Sequence, residues 1–195
     1  DTQVSNAGTM EKMLQVDALD GATVDNENTG IIRGEFRGSA QGEGSKMTLT
    51  NQGTVEDALD GFSLGEGATT TITNEGTAGK ILANALVGGK TEATNNNNVV
   101  GNMSGWSKGD GSTLTLTNTE NGESGMMSVE SYLKGQATAT NNGLAEGGMG
   151  GYAEDGRVKL NNNGDVYGNM AVGAGNHGYA GIRNGQDGTV YGDIN

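Results

Sequence analysis

The sequence predicts an all-β protein folded as a right-handed parallel β-helix, a β-solenoid of about nine coils with roughly 22 residues each. Three observations predict this fold. An Asn residue recurs along the whole chain, short runs alternate Thr with apolar residues, and large apolar residues are too few to fill a thick core. We expect residues 1–195 to form one solenoid domain. Because solenoids need polar caps and this chain closes on a repeat, we expect it to be a fragment of a longer array.

The most regular marker is an Asn that follows a short run of Thr and apolar residues. Clear examples are MTLTNQGT (47–54), TTITNEGT (70–77) and LTLTNTEN (114–121). Successive markers are separated by about 22 residues, which suits one coil of a solenoid. In stacked coils, equivalent Asn side chains would form a ladder in which each amide bonds the next. The predicted ladder consists of Asn6, Asn26, Asn51, Asn74, Asn95, Asn118, Asn141, Asn161 and Asn184.

Two further markers repeat in the same phase. The first is an apolar residue, any residue, Gly, any residue and an apolar residue, and it occurs at 32–36, 99–103, 166–170 and 190–194. The second is Gly-x-Gly, and it occurs at 42–44, 65–67, 109–111 and 173–175. Three unrelated markers in one phase favour a folded repeat over a disordered chain.

Within a repeat, the pattern is that of a strand. In TLTLTN (113–118), Leu114 and Leu116 alternate with Thr residues. Successive side chains of a strand point to opposite faces, so the Leu side chains would point inward and the Thr side chains outward. No window shows a sustained helical period, and Gly and Asn between the runs favour turns.

The composition restricts the architecture. Leu, Ile, Val and Phe number 32 of 195 residues, whereas Gly, Asn and Thr supply 80, and the net charge is −13. Such a composition is typical of disorder unless the core is thin and repeated. Proline is absent, which suits uninterrupted strand stacks. Cysteine is absent too, which excludes a disulfide framework and zinc sites built on Cys.

The charge and hydropathy exclude two classes of partner. Nucleic acid requires clustered Lys and Arg, whereas the 11 basic residues here are scattered along an acidic chain. No stretch approaches the roughly 20 apolar residues of a membrane helix, so we expect no direct membrane insertion of this segment.

The segment VKLNNNGDVYGNMAVGAGNHGYAGIRNGQDGTVYGDIN (158–195) resembles the repeats of autotransporter passenger domains, as do TLTNQGTV (48–55) and TITNEGTA (71–78). The resemblance implies a right-handed parallel β-helix, located outside the cell on the surface of a Gram-negative bacterium. It also implies a structural, adhesive rod that mediates adhesion, self-association or the formation of biofilms and filaments. The partners would be neighbouring copies of the chain or host and matrix glycans.

Paired Thr residues form the predicted interaction face. The motif Thr-x-Thr would face outward in four of five successive coils, with an interruption at Glu92. Such rows could bond a like rod through many weak hydrogen bonds, which add up by multivalency. Flat Thr rows are also typical of ice-binding solenoids, so ice binding is an alternative. The residues are Thr48, Thr50, Thr71, Thr73, Thr115, Thr117, Thr138 and Thr140.

A polysaccharide-active enzyme is a second alternative, because β-helices can carry catalytic carboxylates along one face. The candidates are Asp17, Asp20, Asp57 and Asp60, in the near-duplicates VDALDG and VEDALDGF. His177, the only histidine, lies in a Gly-rich turn, and no nucleophile-elbow motif surrounds a Ser. We therefore predict that the chain is not an enzyme and has no catalytic residues.

No cofactor is predicted, although calcium stays open. The Gly-x-Gly turns carry Glu43, Glu66 and Asp110, and Asp155 lies near the same phase. None of these turns completes the calcium-binding repeat motif, and one carboxylate per turn is fewer than calcium prefers.

The aromatic residues are too few and too scattered along the sequence to predict a carbohydrate-stacking platform. Tyr167 and Tyr191 are the exception, since they would lie a coil apart on one outward face. With Asn169 and Asp193 they could form a small ligand patch or a surface ladder.

Overall fold

The computed structural model describes all residues 1–195 and contains only strands and turns. It has no helix that could cross a membrane. All strands pair in parallel, and they stack coil upon coil. The predicted β-solenoid of about nine coils, roughly 22 residues apart, is therefore confirmed. A typical coil contributes one strand to each of three faces of the rod.

The first face is a nine-stranded sheet, which we call the ladder face. Its strands are β1 (Thr2–Asn6), β4 (Thr23–Asn28), β7 (Lys46–Asn51), β9 (Thr69–Asn74), β11 (Lys90–Asn95), β14 (Thr113–Asn118), β17 (Gln136–Asn141), β20 (Arg157–Asn162) and β23 (Tyr179–Asn184). All nine strands end on Asn, and the turn into the next face begins there.

The other two faces share a fifteen-stranded sheet. The short face holds β2 (Thr9–Met10), β5 (Ile31–Ile32), β12 (Asn98–Val99), β15 (Glu123–Ser124), β18 (Leu144–Ala145), β21 (Asp165–Val166) and β24 (Thr189–Val190). The long face holds β3 (Leu14–Leu19), β6 (Phe36–Gln41), β13 (Met103–Lys108), β16 (Met127–Tyr132), β19 (Met149–Glu154) and β22 (Met170–Gly175). Two longer strands, β8 (Thr54–Leu64) and β10 (Thr77–Leu86), run through both faces.

The core is a narrow column of apolar side chains enclosed by the three faces. Leu114 and Leu116 are buried while the Thr residues between them are partly exposed, as the alternation predicts. Along the long face, four Met residues occupy one inward row, each in register with the next: Met103, Met127, Met149 and Met170. Each coil thus covers the apolar side chains of its neighbours, which a single coil could not bury alone.

The corner between the long face and the ladder face requires left-handed backbone angles. Gly42, Gly65 and Gly109 adopt positive φ there, as expected of residues without a Cβ. Val87 and Leu133 also adopt positive φ at this corner, which is strained for L-residues. The Gly-x-Gly at 173–175 does not belong to the corner, because those residues lie within β22 on the long face.

Candidate functional site

A continuous ladder of Asn side chains runs the length of the ladder face. In each step, the Nδ2 of one Asn donates to the Oδ1 of the next at 2.8–2.9 Å. The same amides also donate to backbone carbonyls at the turns. The ladder therefore joins neighbouring coils through buried polar contacts. Its members are Asn6, Asn28, Asn51, Asn74, Asn95, Asn118, Asn141, Asn162 and Asn184.

Two predicted ladder positions are wrong. Asn26 lies two residues before Asn28 and points into the core in register with Leu49, where neither its Nδ2 nor its Oδ1 has a partner. Asn161 lies one residue before Asn162 and points outward, with its Nδ2 3.4 Å from the Oγ1 of Thr140. The one-residue shift turns Asn161 to the outer face, whereas the two-residue shift keeps Asn26 on the inner face. The strand register is therefore needed to identify which Asn belongs to the ladder.

The predicted Thr residues lie in two ranks on the outside of the ladder face. Register places Thr48 beside Thr71, and Thr115 beside Thr138, with Glu92 between the two pairs. The second rank is unbroken across five coils and consists of Thr50, Thr73, Thr94, Thr117 and Thr140. The ranks are bounded on one side by the exposed carboxylates of Asp25 and Glu27 and on the other by Lys159 and Asn161.

The four Asp residues singled out in the sequence do not converge on one point. Asp17 accepts a hydrogen bond from the Ser39 Oγ at 2.6 Å, and Asp20 occupies the corner with positive φ. The other two form ion pairs, Asp57 with Lys80 at 3.1 Å and Asp60 with Arg37 at 2.8 Å. Burial raises the pKa of Asp60, and the adjacent Arg37 opposes that rise. These carboxylates act as separate polar contacts of the surface.

The calcium candidates are likewise dispersed. Glu43 and Glu66 follow the corner in adjacent coils, and Asp110 follows it two coils further on. Asp155 occupies the corner itself after two more coils, and His177 is exposed on the side of the C-terminal coils. No group of three or more His, Cys, Asp or Glu side chains in the structure is placed to hold a metal ion.

The outer surface of the long face carries a feature that the sequence did not reveal. Inward Ala and Ile side chains of β10 alternate with outward Leu82, Asn84 and Leu86, and the neighbouring β8 presents Phe62 and Leu64. We call Phe62, Leu64, Leu82, Leu86 and the corner residue Val87, which is 60% exposed, the apolar patch. Contiguous apolar surface commonly marks an interaction site.

Beside the apolar patch, three aromatic side chains come together on the long face. The outward positions of three neighbouring strands alternate aromatic and charged side chains. They are Trp106 and Lys108 of β13, Glu130 and Tyr132 of β16, and Tyr152 and Glu154 of β19. The rings of Tyr132 and Tyr152 lie with centroids 6.5 Å apart, tilted by 55°. A cavity of about 680 Å³ lies here, lined by Trp106, Lys108, Glu130, Tyr132, Leu133, Glu154, Asp155, Asn176 and His177. Tyr152 does not line the cavity, but its ring neighbours that of Tyr132; we call the cavity together with Tyr152 the aromatic groove.

The aromatic groove corrects the expectation that aromatic residues are scattered. A sequence signal for it exists, since WSK (106–108), ESY (130–132) and YAE (152–154) each place an aromatic and a charged residue two positions apart. The phenol of Tyr132 donates to the Glu130 Oε2 at 2.6 Å, and this bond raises the pKa of Tyr132 to about 12.

Tyr167 and Tyr191 occupy neighbouring coils, as the sequence predicts. Their rings stack on each other, with centroids 4.6 Å apart and planes within 8°. Each ring therefore covers one face of its neighbour. The Oδ1 of Asn169 accepts a bond from the backbone of Asp193 and helps to hold these coils together.

Comparison of the chain with protein-family models, curated proteins and solved structures gave no match.

Proposed function

We propose that this chain is a structural, adhesive rod of the bacterial cell surface and that it associates with a second copy of itself through the apolar patch. The observation that supports the proposal is the patch itself, an outward cluster of four half-buried large apolar side chains beside Val87, which is 60% exposed. The resemblance to autotransporter passenger repeats supports the extracellular location and the adhesive role.

Burial of apolar surface favours the long face over the Thr ranks as the contact. Most charged groups beside the apolar patch are paired, Arg37 with Asp60 and Lys80 with Asp57, and Lys108 beside Leu86 is an unpaired cation. Two patches can therefore approach with little local repulsion, although the whole chain carries a charge of −13. Burial of apolar surface contributes about 25 cal/mol per Å², and a like rod offers the same coil spacing for repeated contacts.

Sedimentation velocity over a concentration series, with negative-stain imaging of the same samples, tests this proposal. We expect pairs or longer assemblies of the wild-type rod. The double variant Leu64→Lys/Leu86→Lys should raise the dissociation constant at least about tenfold, because two charges would be buried in the contact. The matched control is Thr71→Lys/Thr115→Lys, which adds the same charge to the ladder face.

Two outcomes separate the alternatives. A strictly monomeric wild type at the highest concentration contradicts self-association as a property of this segment. Loss of association in the Thr variant, with the Leu variant unaffected, assigns the contact to the Thr ranks instead. Circular dichroism of every variant must match that of the wild type for the comparison to count.

Ice binding is the second candidate, and the unbroken Thr rank favours it. Five Thr side chains, from Thr50 to Thr140, follow one another at the coil spacing on an outer face. Thermal hysteresis of the wild type, abolished in Thr73→Lys and retained in Leu64→Lys, would establish it. Absence of hysteresis at millimolar concentration would exclude it.

A further inference from the structure

We infer that the aromatic groove of the long face binds an oligosaccharide, a chain of neutral or amino sugars that lies along the rod axis. The inference does not depend on self-association, because the residues that carry it lie outside the apolar patch, which adjoins the groove at Leu82. The contacts of Trp106, Glu130, Tyr132 and Tyr152 carry the argument.

The aromatic rings are spaced along the rod as a sugar chain requires. Register aligns Trp106 with Glu130 and Glu130 with Tyr152, so the two rings occupy one row two coils apart. Adjacent strands lie about 4.8 Å apart, which separates the backbones of Trp106 and Tyr152 by about 10 Å. This spacing is close to the length of a disaccharide, so one ring is available for every second sugar.

The ring of Tyr152 is supported on one side and open on the other. Beneath it lie Gly173 and Gly175 of β22, the outward residues of the next coil. A Cβ at Gly173 would lie 3.2 Å from the Cδ2 of Tyr152, and a Cβ at Gly175 would lie 2.5 Å from its Oη. The two glycines therefore leave room for the ring to extend over the neighbouring strand. Tyr152 remains 39% exposed, so the apolar face of a sugar can stack on it.

Polar groups with free bonding capacity surround the rings. Glu130 uses its Oε2 to accept from Tyr132, and Glu154 uses its Oε1 to accept from the Asn176 Nδ2 at 2.8 Å. The second oxygen of each carboxylate remains free for a sugar hydroxyl. Lys108, at the edge of the groove, forms no ion pair and can donate to another hydroxyl.

The charge of the groove selects among sugar chains. Three carboxylates, Glu130, Glu154 and Asp155, face a single ammonium group, that of Lys108. An excess of negative charge repels acidic polysaccharides and attracts amino sugars. Of the sugar classes, neutral and amino-sugar chains therefore fit the site, and uronic acid chains do not.

The groove is open and continues beyond the rings. A second depression of about 340 Å³, lined by Leu82, Asn84, Ser104 and Ser128, shares Trp106 and Glu130 with the first. An open groove across several coils accommodates a polymer segment better than a compact small molecule. The bound chain would extend from β19 towards β10.

Intrinsic fluorescence provides a direct assay, because Trp106 is the only tryptophan in the chain. The full chain is titrated with a glucosamine hexamer, cellohexaose and a galacturonic acid hexamer, and affinities are checked by calorimetry. We expect saturable binding of the glucosamine hexamer, weaker binding of cellohexaose and no binding of the acidic hexamer. Tyr152→Ala should weaken binding about tenfold, which corresponds to about 1.4 kcal/mol, because the stacking contact is lost. Tyr191→Ala, in the separate stacked pair, is the matched control and should bind as the wild type does.

Gly173→Val is the second test, because its side chain would displace the Tyr152 ring without removing it. It should weaken binding as Tyr152→Ala does, while the strand stack keeps its circular dichroism spectrum. Failure of all three hexamers to bind, tightest binding of the acidic hexamer, or full affinity in Tyr152→Ala would overturn the inference. The single variant Leu64→Lys, two coils away from Lys108, should keep wild-type affinity for sugar, so the two proposals succeed or fail separately.

Discussion

Replacing Asn26 by Leu should stabilise the rod, whereas the same replacement at Asn28, two residues later, should destabilise it. Both side chains are buried in β4 and point inward. Asn26 is flanked in its row by Val4 and Leu49, and its polar atoms have no partner. Asn28 is a member of the ladder and accepts from Asn6 and donates to Asn51, each at 2.8 Å.

The expected changes in the free energy of unfolding follow from the hydrogen bonds that each Asn side chain makes or lacks. A buried polar group without a partner costs about 1–3 kcal/mol, and Leu has nearly the shape of Asn. Leu at position 26 removes that cost and adds apolar contact, so the free energy of unfolding should rise by about 2–3 kcal/mol. Leu at position 28 breaks two ladder bonds and leaves buried groups of Asn6 and Asn51 short of a partner. The free energy of unfolding should then fall by about 2–4 kcal/mol.

Urea unfolding followed by circular dichroism measures both variants against the wild type. Because solenoids can lose terminal coils separately, hydrogen exchange of the β4 and β7 amides should accompany it. Destabilisation by Asn26→Leu, or an effect of the same sign in both variants, would refute the assignment of one Asn to the core and the other to the ladder.

Three further predictions concern individual positions. A Cβ at Gly76 would overlap the carbonyl oxygen of Gly53 in the coil below. Gly76→Ala should therefore lower the free energy of unfolding, measured in urea, by about 1–3 kcal/mol. An unchanged urea midpoint would contradict this close approach. Val87 has φ near 46°, so Val87→Gly should relieve strain and raise the free energy of unfolding by about 1 kcal/mol; a loss would show that the Val side chain contributes more by packing. The pKa of Tyr132 is raised to about 12, so the stability that its bound proton contributes is complete below pH 10 and is lost as the pH rises towards 12. In an ultraviolet titration, Glu130→Gln should move this pKa back towards 10. An unshifted titration would disprove the hydrogen bond to Glu130 as the cause of the raised pKa.

The repeat period and the alternation of side chains were sufficient to predict the solenoid. The Asn marker and runs such as TLTLTN imply stacked strands, because an apolar residue at every second position needs a covering layer that only the next coil supplies. The same alternation predicted the outward Thr ranks, including the interruption at Glu92. It also indicated seven of the ladder positions, since a buried Asn at a turn can satisfy its amide on its equivalent in the next coil.

Only the tertiary structure decided which residues become neighbours across coils. Coil lengths differ, and Trp106, Glu130 and Tyr152 share a row although the intervals between them are unequal. A constant period therefore cannot align them, and the aromatic groove emerges only when the turns set the register. The same holds for Asn26 and Asn28, because both face inward and their sequence contexts are alike. Their different roles depend on what the adjacent coils place beside each, a hydrocarbon side chain or another amide.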